Sequence, residues 1–377
     1  MSKVNGIYTT GRFGSLQVYP SHMKEVIEKD GYSNNVVDII NSDRDLDELY
    51  ENVLDIEYKR FKVGMKLIEE QDPDFVFFVF NIPDAIHHII DDDNLIEKLY
   101  VQIDRIIGKF LEKFRNVFVV SDHGMSSKQF EYTFNFLGWL IENGFAKVDD
   151  RKLKSKLMIK KLFNIAGLYN KKLPKENSMM YYDIDWNKTS VYTEPNMPVL
   201  YINDEYKKFS DKDDLFKEVC KRFEKIIYKG KRYNFKLYKR EDLYNGEYLS
   251  TLPEIIIDAP EELVFRDTIS KEGIFSSPRV WKRNHSKILT FIGKGEMIKP
   301  GVKVSGSIYD ICPTILCSLG IPLISDMDGT MLDIFSAVHE KNYTDQYIDL
   351  ESSNYNQTNS PEDEEEIMQR LKNLGYL

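Results

Sequence analysis

The chain has 377 residues, 42% of them hydrophobic and 13% aromatic, which suits one large α/β domain with an insertion, or two domains, and argues against disorder as the default. A formal charge of −10 argues against wholesale binding to a nucleic-acid backbone, but not against a small phosphorylated molecule, because bound metal ions reverse the sign of a local site. Cys220, Cys312 and Cys317 form neither a disulfide framework nor a cysteine-based zinc site, and no apolar run approaches a membrane span or a signal peptide, so a reducing cytoplasm is the expected location.

Residues 1–20 read as a loop with a strand fragment. A helix is expected from Ser21 to Lys29 and a short strand from Asn35 to Ile40. Leu46, Leu49, Tyr50, Val53, Leu54, Ile56, Phe61, Met65 and Leu67 recur at helical spacing within 43–70, opposite a charged face, and Pro73 ends that helix. Phe75 to Phe80 is wholly apolar and reads as a buried strand. A helix begins near Pro83, which is tolerated in a first turn, and another runs from Leu95 to Phe114. Val117 to Val120 follows as a second strand buried on both faces. Strand, helix, strand at this spacing is the pattern of a parallel βαβ unit.

The composition shifts after Asp149. Arg151, Lys152, Lys154, Lys156, Lys160, Lys161, Lys171 and Lys172 lie among apolar residues and read as the solvated face of an inserted cap helix, with a basic amphipathic helix that lies on a membrane or covers an anionic substrate as the alternative. Strands at 199–202 and 235–238 flank a helix at 215–227, an α+β insert. Ile255–Asp258 and Ile288–Ile292 are expected to return to the main sheet. Ile308–Leu319 is an apolar helix stopped by Gly320 and Pro322. Residues 340–361 are polar, and a last helix opens at Pro361. The expected division is therefore core α/β over 1–149, α+β cap over 150–250, and core α/β over 251–377 with a polar tail and final helix.

Chemistry-bearing residues gather where these strands end. Asp122-His123-Gly124 closes the strand at 117–120, the place where open α/β sheets put their ligands, and Gly124 is read as a residue that lets the backbone turn. Asp84 and His88 are four apart after the preceding apolar run, which on a helix puts them on one face. His285 stands in Lys282-Arg-Asn-His-Ser-Lys287, just before another strand. Carboxylate oxygen with imidazole nitrogen is the donor mix for zinc and similar ions. Singly, each has a plainer reading: Asp84 as a helix cap, His285 as a histidine bonded to a carbonyl. His87 competes with His88 and is read as structural. The joint occurrence is what favours a metal.

Ser121-Asp-His-Gly-Met125, Asp84-xxx-His88 and His285 resemble the alkaline phosphatase superfamily, in its type I phosphodiesterase/nucleotide pyrophosphatase-like branch. Lys239-Arg-Glu-Asp-Leu-Tyr-Asn-Gly-Glu-Tyr248, Leu252-Pro-Glu-Ile-Ile-Ile257, Ile308 to Pro322, Met327-Asp-Gly-Thr330 and Arg370 to Leu377 extend the resemblance over nearly the whole chain. It implies a mostly parallel sheet sandwiched by helices, with an inserted α+β cap, and hydrolysis of phosphoric esters at a two-metal site. Asp84, His88 and His285 would hold one ion, and Asp122 and His123 would contribute to the second. Zn²⁺ is the expected metal, with Mn²⁺ as an alternative, and a small phosphorylated molecule the substrate.

The resemblance also implies an early strand ending in Asp and a Thr or Ser nucleophile, and neither stands before Asp84. Thr9 and Thr10 lack an apolar strand to present them, so no catalytic nucleophile is assigned. The chain therefore reads as N-terminally incomplete: a fragment, a partner of a second polypeptide that supplies the strand, or a degenerate relative that binds metal without turnover. A sulfatase, phosphomutase or phosphotransferase on the same scaffold is the other chemical alternative.

Overall fold

The apolar spacing along the first third of the chain builds three helices that share one core. In the computed structural model they are Leu46–Gln71, Ile82–Ile89 and Asp93–Lys113. Leu49, Val53 and Ile56 of the first pack with Ile82 and Ile86 of the second and Leu99 and Ile103 of the third. Burying each such side chain contributes about 1.5–3 kcal/mol. Asp92 caps the third helix, its carboxylate accepting from the backbone N–H groups of Asn94 and Leu95. The structure describes residues 5–9, 16–33, 46–149, 184–194, 197–205, 211–278, 282–336 and 343–344. The expected strand at 35–40, the basic helix at 151–172, most of the polar stretch at 340–361 and the last helix lie outside the described residues.

The chain forms two compact units, Met1–Ser126 with His285–Leu377, and Ser127–Asn284. The first holds the three helices, the short helix Met23–Lys29 and the strand Asn116–Val120. That strand pairs antiparallel with Phe291–Gly295, Val120 opposite Phe291 and Asn116 opposite Gly295. The helix Ile311–Ser318 follows and ends at Gly320, whose φ of 70° is the left-handed conformation a helix stop uses.

The second unit is organised around Tyr132–Asn135, which runs parallel to Leu263–Arg266 and antiparallel to Phe275–Ser276. A four-stranded antiparallel sheet orders Lys236–Lys239, Ile255–Asp258, Val199–Ile202 and Val191–Tyr192. Phe134, Phe136, Trp139, Leu200, Phe223 and Ile255 are buried in its core, with the helices Phe136–Glu142 and Lys212–Phe223.

A mostly parallel main sheet is not what the described residues form. Their sheets are small and mostly antiparallel; parallel pairs include Tyr132–Asn135 with Leu263–Arg266, and Leu323–Ile324 with Tyr343–Thr344. Phe75 to Phe80 makes no ladder among the described residues, and Phe77 is 79% exposed. Ile255–Asp258 joins the sheet of the second unit rather than the strand at 116–120. The physical reason is that an apolar run reports burial; it carries no information on the direction of the strand beside it.

Candidate metal centre

The helix Ile82–Ile89 explains the first two candidate residues. Ile82, Ala85 and Ile86 turn one face into the apolar core, and Asp84 and His88, four apart, stand together on another, with His88 itself buried. Asp84 lies in the first turn, where a carboxylate meets the positive end of the helix dipole, and Asn81, not Asp84, is the cap residue. His87 points elsewhere: its Nε2 lies 3.0 Å from the Tyr100 hydroxyl on the next helix.

The other two imidazoles come from the antiparallel pair. Ser121 extends its ladder, its N–H donating to Thr290 O at 3.0 Å while its Oγ accepts from Thr290 N at 2.8 Å. His123 follows on one strand and His285 precedes on the other. Gly124 then meets the second segment: a Cβ built on it would stand 2.2 Å from Ile288 O. Its φ is not in the positive range, so glycine is required here for close backbone approach and not for a turn.

Four donor atoms converge. Asp84 Oδ1 lies 3.1 Å from His285 Nε2 and 3.2 Å from His88 Nε2, and the two Nε2 atoms are 2.9 Å apart. His123 Nε2 is 4.0 Å from Asp84 Oδ1, and its ring stacks on His285 with centroids 3.6 Å apart. Asp84, His123 and His285 thus form a group able to hold a metal ion. Ligands about 2.0–2.1 Å from a tetrahedral zinc have mutual separations of about 3.3 Å. The Asp84–His88–His285 triangle is that size, slightly contracted, so the donor set fits a divalent ion in both chemistry and scale. His123 Nδ1 lies 3.1 Å from Gly124 O. An Nδ1–H donating to that carbonyl leaves the Nε2 lone pair facing the cluster, the usual outer-shell arrangement of a metal-binding histidine.

Asp122 stands at the rim. Its side chain is 84% exposed, Oδ2 is 3.6 Å from His123 Nε2, and Oδ1 accepts the His123 backbone N–H. Thr9, the other residue weighed for catalysis, has its Oγ1 2.9 Å from the Tyr32 hydroxyl; Thr10 lies outside the described residues. What sequence reasoning missed is Gly124's steric role and the buried pair Glu57 and Arg60. The pair carried one local signal, a glutamate and an arginine three apart beside Ile56 and Phe61.

A family model for type I phosphodiesterase/nucleotide pyrophosphatase matches residues 7–287, a span that contains Asp84, His88, Asp122, His123 and His285. No curated protein and no solved structure matches the chain. The family consists generally of hydrolases acting on phosphodiesters and pyrophosphates, typically dependent on divalent metals. With three-quarters of its length matched and its donor cluster inside the match, the chain belongs to the type I phosphodiesterase/nucleotide pyrophosphatase family, within the alkaline phosphatase superfamily.

Proposed function

We propose that the chain is a metal-dependent phosphoric-ester hydrolase whose metal centre is built from Asp84, His88, His285 and His123. The observation that carries this reading is the close triangle of Asp84 Oδ1, His88 Nε2 and His285 Nε2. Asp84, His88 and His285 hold one ion in this reading. His123, set slightly apart, and Asp122 beside it serve a second; two-metal sites keep their ions about 3.5–4 Å apart. When bound, the ions supply Lewis-acid charge for the phosphoryl oxygens and lower the pKa of an attacking oxygen. The chain's own part is to fix these donors. The helix Ile82–Ile89 orients Asp84 and His88, and Gly124 lets the His123 and His285 segments approach. A phosphoryl transition state asks mainly for such positioning and for positive charge.

Zn²⁺ is the proposed metal, since a mixed carboxylate–imidazole set suits it, with Mn²⁺ next. The substrate is a small phosphodiester or nucleotide pyrophosphate. The three cysteines are free thiols, which is the observation behind the cytoplasm as the proposed compartment. No helix among the described residues is long and apolar enough to cross a membrane.

The test is an assay of the purified chain with Zn²⁺ or Mn²⁺ on a bis-aryl phosphate and an aryl monophosphate. Metal-dependent hydrolysis favouring the diester, lost with chelator and lost in His123→Ala, is expected. Metal uptake without turnover of either ester would replace this reading by a binding-only homologue. Preference for the monoester would move it to a phosphatase or phosphomutase type.

A further inference from the structure

Glu57 and Arg60 lie three apart on the helix Leu46–Gln71, and both are buried, at 3% and 6% exposure. Charged side chains are almost never so buried unless paired, and Arg60 Nη1 donates to Glu57 Oε1 at 2.5 Å. Well-packed apolar residues would serve stability as well or better at such a position. The pair's contacts suggest another role.

The same Oε1 accepts the backbone N–H of Asn81, at a long 3.4 Å. Asn81 is the residue before the helix Ile82–Ile89, and its own side chain makes no capping bond. A helix leaves its first N–H groups without partners inside the helix, and a carboxylate there meets the positive end of the dipole. Glu57 thus brings from a neighbouring helix the acceptor that the segment's own cap does not provide. Arg60 grips the stretch leading in: its guanidinium lies over the ring of Phe78 at 5.7 Å and over that of Tyr32 at the same distance. Tyr32 is held in turn by Thr9. The cap of the helix that carries Asp84 and His88 is therefore held by Glu57, with Arg60 as its buried counter-charge.

We infer that Glu57 is a positioning residue for the metal centre, setting where the helix Ile82–Ile89 begins and hence how Asp84 and His88 meet His285, while Arg60 neutralises it in its buried place. This rests on the reading of those three residues as ligands. Outer-shell groups of this kind act on affinity without touching the ion.

The test compares two double variants of the full chain, Glu57→Gln/Arg60→Met and Glu57→Leu/Arg60→Met. Both remove the buried ion pair, and only the first keeps an oxygen for the Asn81 N–H. Zinc affinity is read by competition with a chromophoric chelator, beside the thermal unfolding midpoint. The Gln/Met chain is expected to bind zinc as the wild type does. The Leu/Met chain should bind about tenfold more weakly, the loss typical of a missing outer-shell partner, with a similar midpoint. Asn81→Pro, which deletes the donor from the other side and fixes φ near its present value of −86°, should reproduce that loss and covers the case in which Leu/Met does not fold. Wild-type zinc affinity in Leu/Met or in Asn81→Pro overturns the inference. If the wild-type chain takes up no zinc, the ligand reading fails instead. The positioning claim is then read from the imidazole ¹⁵N resonances of His88 and His285 in the metal-free chain. Those resonances should move in Leu/Met and Asn81→Pro but not in Gln/Met, and unchanged resonances in all three overturn it.

Discussion

Gly124→Ala is the smallest change that reaches the metal centre without altering a donor. The added Cβ would sit 2.2 Å from Ile288 O and 3.1 Å from Ser286 Oγ. Ordinary carbon–oxygen contacts are about 3.3 Å or longer, so the two segments must separate by about 1 Å. One segment carries His123 and the other His285, whose rings stack at 3.6 Å. Misplacing a site by about 1 Å costs on the order of 10²-fold in rate, and overpacking of this kind costs about 1–3 kcal/mol of stability. Gly124 does not have positive φ, so alanine adds no torsional strain that would blur the comparison. The assay is zinc affinity and kcat/KM of Gly124→Ala beside Gly293→Ala. The latter meets the Ile298 Cδ1 atom at 3.1 Å, the end of a flexible side chain that can yield. Weakened zinc binding in the first alone is expected. Wild-type affinity and rate in Gly124→Ala would refute the steric argument.

Two further outcomes concern the internal frame of each unit. Asp310 accepts from the N–H groups of Ser307 and Thr330, each at 2.7 Å, and these bonds hold its carboxyl below the ordinary value of 3.8. A carboxyl whose pKa is lower folded than unfolded contributes fully above its unfolded pKa and loses that contribution as pH falls through the folded value. Asp310→Asn should therefore lower the urea midpoint at neutral pH, with the gap closing below about pH 4; a gap independent of pH contradicts the sign. In the second unit Phe134 is fully buried, with the rings of Phe136, Phe265 and Phe275 within 5.7 Å. Phe134→Ala should cost about 3–5 kcal/mol in denaturant unfolding, and a loss below about 1 kcal/mol would mean that the cavity collapses freely.

The helices were legible because amphipathic spacing is a local property: Leu49, Val53 and Ile56 announced the helix that buries them, and the four-residue interval of Asp84 and His88 placed both on one face. The sheet was not. Val117 to Val120 signalled a strand, but its antiparallel partner at 291–295 is remote in sequence, and nothing in four apolar residues encodes direction. Phe75 to Phe80 shows the same limit, since its apolarity suggested a ladder that the described residues do not form. Within the site, the meeting of His285 with Asp84 and His88 was suggested by residue type, whereas its scale required coordinates. Gly124 looked like a turn glycine because close approach to Ile288 O is a tertiary fact. Glu57 and Arg60 read as part of a charged helix face, and only packing revealed them as buried.

The most direct test of the metal centre is the zinc content of the purified chain after dialysis against excess metal and gel filtration, compared with His88→Ala and His285→Ala. Stoichiometric zinc on the wild type and the loss of at least one equivalent per chain from both variants, with unfolding midpoints of the metal-free chains unchanged, is the predicted result. Equal zinc on all three chains, or none on the wild type, would contradict the assignment of Asp84, His88 and His285 as one metal-binding triangle.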